Sequence, residues 1–211
     1  MIRVNFRDLI ILVFPLRQAT FAVALLLLWL PYLATAQNSL RWTTNYYAVT
    51  GAALPEIRQS IRQSRPWKER FDLDGMTDWR VTWQFSVAPT SSGCRCGSFS
   101  TQTTIATTLP RWIAPTNAPE SVKTIWQNYA AALGQHESGH AAVALAAATE
   151  MRKRVGQAGE GSSCDGLKQR INELSQQVVE EYRKRDKEYD ERTRHGATQG
   201  AAWPGRGRRD R

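Results

Sequence analysis

Histidine, cysteine and methionine each occur only three times in this 211-residue chain, and acidic residues (19) are outnumbered by basic ones (28). The longest unbroken apolar run, Phe21 to Leu30, is short of the roughly 20 residues a membrane-crossing helix needs. No internal repeat is evident, which sets aside a solenoid. Three cysteines allow one disulfide and leave one thiol over. With so few histidines, a metal centre built on imidazole must draw on nearly all of them. The net charge of +9 favours anionic surfaces. However, Arg206, Arg208, Arg209 and Arg211 lie in a Gly-rich tail and read as a solvated end, so no specific nucleic-acid partner is expected.

What is present begins with a leader. Arg3, Arg7 and Arg17 precede the apolar run, and Ala34-Thr35-Ala36 offers a small-x-small cleavage site, so residues 1–36 read as a signal peptide. The membrane is then met only through an uncleaved leader. Export into the periplasm or beyond is oxidising, which makes Cys94, Cys96 and Cys164 disulfide candidates before metal ligands. Cys94 and Cys96, two apart near a turn, each offer a partner to the distant Cys164. A length of about 160 residues beyond the leader suits one core, giving a domain over 37–196 and a disordered basic tail over 197–211.

Within the domain, aromatic and β-branched residues from Leu40 to Thr50 predict a strand, and Leu54, Ile57 and Ile61 a short helix over Pro55 to Ser64. Trp79, Val81, Trp83, Phe85 and Val87 alternate with polar residues and predict a half-buried strand. After a Pro89 to Gly97 turn, the Thr-rich Phe99 to Leu109 reads as another, stopped by Pro110. Two helices follow. The first runs from about Pro119 towards Gly156 with Val122, Ile125, Trp126, Tyr129, Leu133, His136, His140, Val143, Ala147 and Met151 on one stripe. The second starts near Ser163, carries Leu167, Ile171, Leu174, Val178, Tyr182 and Tyr189 on an apolar stripe, and ends by Gly196. The expected class is α+β, a small antiparallel sheet packed on a long helix and a C-terminal helix.

The chemistry concentrates at residues 134–151, GQHESGHAAVALAAATEM. A four-residue step on an α-helix turns about 400° and rises about 6 Å, so His136 and His140 project side by side and reach one ion. Glu137 lies beside them, close enough to act as general base on a metal-bound water, the logic of HExxH zinc hydrolases. As mere core residues, two adjacent buried imidazoles would need partners and would repel if both were charged.

A catalytic zinc takes three protein ligands. A third histidine six residues after His140 is ruled out, because Ala146 stands there. Glu150 lies about 15 Å further along a straight helix. If the two helices form an antiparallel hairpin, the histidines lie level with Tyr182 to Asp186, which makes Glu181 the best-placed acidic ligand, though it also reads as a solvated helix residue. His195, in YDERTRHG, reaches the site only if the second helix ends early and the chain folds back; otherwise it is a helix C-terminal cation.

Tyr46-Tyr47 with Gly51, the Trp79 to Trp83 strand, LPRW at Leu109 to Trp112, HESGH, Cys164 and YDERTRHG together resemble a bacterial family known as predicted secreted zinc-dependent proteases, otherwise a domain of unknown function. The resemblance implies a minimal zincin-like α+β domain with His136 and His140 as zinc ligands and Glu137 as base. It further implies His195 as third ligand and a Cys94–Cys164 disulfide.

The resulting expectation is an exported zinc peptidase acting on peptide or protein substrates. Thr101 to Thr108 would hold extended substrate by edge pairing, and Tyr189 or Arg194 would stabilise the transition state. Two other readings fit the sequence, a non-catalytic envelope-binding domain and a zinc amidase acting on cell-wall material.

Overall fold

The structure is a computed structural model that describes residues 38–69 and 73–204. The signal peptide assigned to residues 1–36 lies outside the described residues. In chain order the elements are β1 (Ser39–Val49), α1 (Leu54–Ser64), β2 (Met76–Thr90), β3 (Gly93–Trp112), α2 (Glu120–Gly156) and α3 (Cys164–Thr193), followed by a 3₁₀ turn over Ala197–Gln199. No helix among the described residues is long and apolar enough to cross a membrane.

The class is α+β as expected, but the sheet is mixed. Its order is β1-β3-β2, with β2 antiparallel to β3 and β1 parallel to it. Alternation sets which face of a strand is buried; it carries no information about direction, which here follows from the β2–β3 hairpin folding back to insert β3 beside β1. That hairpin is tighter than the Pro89 to Gly97 turn predicted: pairing continues to Thr90↔Gly93. Pro89 is tolerated because β2 is an edge strand. Pro110 likewise does not stop β3, because β2 pairs only as far as Thr108 and β1 is the sole neighbour beyond it.

α2 and α3 form the antiparallel hairpin and pack on the sheet. Between them lies a core in which Trp79, Val81 and Ile105 of the sheet meet Ala141, Ala144, Ala147 and Met151 of α2 and Val178 and Tyr182 of α3. The run of alanines is what lets the long helix approach the sheet closely. A second core gathers Tyr47, Val49, Ile57, Ile61, Trp126 and Tyr129 around Trp203. Trp203 is only 6% exposed, so the tail read as disordered from residue 197 is ordered at least as far as this anchor. Its Gly, Ala and Arg composition hid one large apolar side chain whose burial offsets the cost of ordering the segment. The remainder of that tail, 205–211, lies outside the described residues.

The hairpin turn is pinned to the sheet. Cys94 and Cys164 form a disulfide across 70 residues, and Cys94 exchanges two 2.8 Å backbone hydrogen bonds with Gly161. Cys96 is the free thiol, half-buried with its Sγ donating to the Ser98 carbonyl.

Candidate metal centre

The site forms where the middle of α2 and the C-terminal end of α3 meet the start of β2. His136, Glu137 and His140 are 2%, 3% and 7% exposed, as their place on the apolar stripe requires. Across from them, α3 continues the four-residue step of Val178 and Tyr182 into Asp186 and Asp190. The two helices thus present i,i+4 pairs to each other, His136/His140 against Asp190/Asp186.

Three ligand atoms converge. His136 Nε2 and His140 Nε2 are 3.3 Å apart, and Asp190 Oδ1 lies 3.1 Å from the first and 3.2 Å from the second. All three lie within 4.8 Å of one another and can hold a metal ion. The outer ring nitrogens are occupied: His140 Nδ1 lies 2.8 Å from Asp186 Oδ1, and His136 Nδ1 lies 3.0 Å from Gln199 Oε1. Asp186 is itself held by the Trp79 indole N–H, which donates to Oδ2 at 3.1 Å. Each imidazole is therefore turned so that Nε2 faces the other and the Asp190 oxygen, the outer-shell arrangement that orients metal-bound histidines.

The electrostatics of the pocket draw in positive charge. Burial alone would hold His140 low, but its hydrogen bonds to Asp186 and Asp190 outweigh that and push it up to about 10. Burial would raise Asp190; the His136 and His140 contacts reverse this and place it well below the usual carboxylate range. Glu137 moves upward because it is desolvated, against smaller opposing effects from Thr77 and the two histidines. Its Oε2 is buried with no hydrogen-bond partner among the described residues.

Two glycines make room for this packing. The Tyr189 hydroxyl occupies the space over Gly139, where a Cβ would stand 2.1 Å from it. Gly75, just before β2, lies against Glu137, and a Cβ there would be 2.7 Å from Oε1. On the same side, Thr77 Oγ1 donates to the Glu137 carbonyl at 3.3 Å.

Of the residues singled out from sequence, His136, Glu137 and His140 come together. His195 lies beside the cluster, its Nδ1 3.3 Å from Asp190 Oδ1, so this one oxygen is within 3.3 Å of a nitrogen of each of the chain's three histidines. It arrives there because α3 ends at Thr193 and the chain turns back through left-handed Arg194 and His195, both at φ 50°. Arg194 is the exposed C-cap. The Tyr189 ring stacks on His136 with centroids 5.1 Å apart, while its hydroxyl donates to the His136 carbonyl at 3.1 Å, so it packs and braces the histidines.

Two expectations fail on geometry. Glu181 is not in the site: it sits one residue off the buried stripe and pairs with Arg154, at 2.6 Å, and with Arg185. Asp190 occupies the acidic position, one helical turn beyond the span judged level with the histidines. Continuing the four-residue step from Tyr182 would have found Asp186 and Asp190 with the spacing of the histidine pair; nothing local marks Gln199. The edge-pairing role of Thr101 to Thr108 is also excluded, because β3 is the central strand and both its edges are paired there or capped by Asn38.

No curated protein and no solved structure matches the chain. A family model does match, over residues 44–196, from the first strand to the glycine that follows His195, and the chain belongs to that family, described as bacterial protein of unknown function (DUF922).

Proposed function

We propose that this chain is an exported zinc-dependent hydrolase, most simply a peptidase, with zinc held by His136, His140 and Asp190 and with Glu137 as general base. The observation that carries the reading is the convergence of two Nε2 atoms and one carboxylate oxygen whose supporting hydrogen bonds are already made. Two imidazoles and one carboxylate are a donor set zinc favours, and three protein ligands leave a position open for chemistry. When bound, zinc supplies a Lewis acid that polarises a carbonyl and eases deprotonation of water.

The protein's own part follows from the placement of its side chains. Glu137 Oε2, buried and unpartnered, takes the proton of the attacking water and returns it to the leaving nitrogen. Its upward shift from the usual carboxylate range brings it nearer the proton affinity such a shuttle needs. Tyr189 and Asp186 keep the histidine rings in place. His195, 40% exposed, contacts the same Asp190 oxygen as the two ligand histidines. The Cys94–Cys164 disulfide accords with export to an oxidising compartment.

Elemental analysis of the purified chain is expected to give one zinc, with the metal lost in His136→Ala, His140→Ala and Asp190→Ala and kept in His195→Ala. Glu137→Gln keeps zinc and slows peptide hydrolysis by roughly 10²- to 10⁴-fold. A chain without stoichiometric zinc overturns the reading. Full zinc affinity in Asp190→Ala returns the third position to His195.

A further inference from the structure

Beyond residue 196, where the family match ends, the chain forms a short hook that closes over α2. Arg194, His195 and Gly196 are three consecutive left-handed residues, at φ 50°, 50° and 80°. The two non-glycine residues adopt that conformation at a cost, which persists only where surrounding contacts impose it. Gly196 packs on His136, where a Cβ would stand 2.9 Å from the ring carbon Cγ. The hook is held by backbone bonds from Ala197 to Arg194 and from Ala201 to Gly196. Trp203 then inserts edge-on against Tyr129, with centroids 4.8 Å apart, and against Trp126 at 6.2 Å. Between these anchors the hook presents one polar side chain to the site, Gln199. Its Oε1 lies 3.0 Å from His136 Nδ1, and its Nε2 donates to the Tyr189 hydroxyl at 3.2 Å.

An amide oxygen only accepts, so this contact requires the proton of neutral His136 on Nδ1 and leaves the Nε2 lone pair facing His140 and Asp190. Asp186 does the same for His140. We infer that Gln199 is a positioning residue that fixes the tautomer and ring angle of His136 for metal binding, and that Trp203 is the anchor that delivers it. The inference rests on the metal reading above. It makes residues 197–203 part of the metal centre and not a trailing end.

Zinc affinity of the full chain, measured by competition with a chelator, tests this. Gln199→Ala should weaken zinc roughly 10- to 100-fold, the usual effect of losing such a partner. Gln199→Glu, which keeps an acceptor for Nδ1–H, should return affinity to within a few-fold of the unmodified chain. Because Gln199 is exposed, the metal-free melting temperature of Gln199→Ala should stay within about 2 °C, which separates positioning from a general loss of structure. Trp203→Ala should weaken zinc to a similar degree. Unchanged affinity in Gln199→Ala, or no recovery in Gln199→Glu, overturns the inference while leaving the metal centre standing; an unmodified chain that binds no zinc overturns both.

Discussion

Two buried polar clusters lie a few residues apart in this fold and differ in what completes them. In the first, Asp74 pairs with Arg58 and lies 4.0 Å from Arg65. It also accepts the Tyr129 hydroxyl at 2.6 Å, while its carbonyl accepts that of Tyr47 at 2.7 Å. Cation and anion both come from the chain. In the second, two histidine nitrogens and the Asp190 oxygen lie within 4.8 Å of one another, an arrangement that could hold a metal ion supplied from outside the chain. The first is a latch and the second a site. They touch through Gly75, which follows Asp74 and walls Glu137, and through α2, which carries both Tyr129 and the histidines. The latch thus holds the wall of the site through contacts from three elements, β1, α1 and α2.

The largest effect is expected from breaking the latch. Asp74→Ala leaves the Arg58 charge buried without its partner and should cost about 3–5 kcal/mol in urea unfolding of the metal-free chain. Removing a metal ligand should show the reverse pattern, zinc lost with a smaller change in metal-free stability. If Asp74→Ala unfolds no more easily than His140→Ala, the distinction between latch and site fails.

A smaller effect, about 2–4 kcal/mol, should follow from replacing Cys94 and Cys164 with serine. The disulfide lies some 22 residues of α3 from Asp186, about 33 Å along the helix, so zinc affinity should change only a few-fold. Chelator competition on the double variant checks this. A large loss would mean that the pinned turn, and not the latch, sets the register of the helices at the site.

The subtlest difference is in pH dependence. His140 reaches about 10 in the folded chain, against an unfolded value near 6.5. A raised value means stability that is fully present below about 6.5 and is lost as pH rises through 10. The urea midpoint of the metal-free chain should therefore fall between pH 7 and 10. Zinc competes with that proton, so zinc affinity should rise over the same range. A metal-free midpoint that climbs with pH would show that Asp186 and Asp190 do not hold a proton on His140.

Much of the fold was legible in short-range pattern. The period-two alternation around Trp79 to Val87 and the helical stripe through His136 and His140 are properties of neighbouring residues, and the elements formed where those patterns put them. The sheet's mixed direction and the order seen at Ala197 to Trp203 were not legible, because neither strand direction nor the docking of a single tryptophan leaves a periodic trace.

The same division runs through the site. By itself the sequence determined that two imidazoles and a carboxylate emerge together from one helix, because a four-residue step is set by helix geometry alone. Only the tertiary structure decided what meets them. Asp186 pairs with His140 across 46 residues, Asp190 with His136 across 54 and Gln199 with His136 across 63. Those encounters depend on how far the hairpin turn carries α3 before it returns and on where that helix stops, and about two and a half helical turns separate Glu181, paired with Arg154, from Asp190, which faces the histidines.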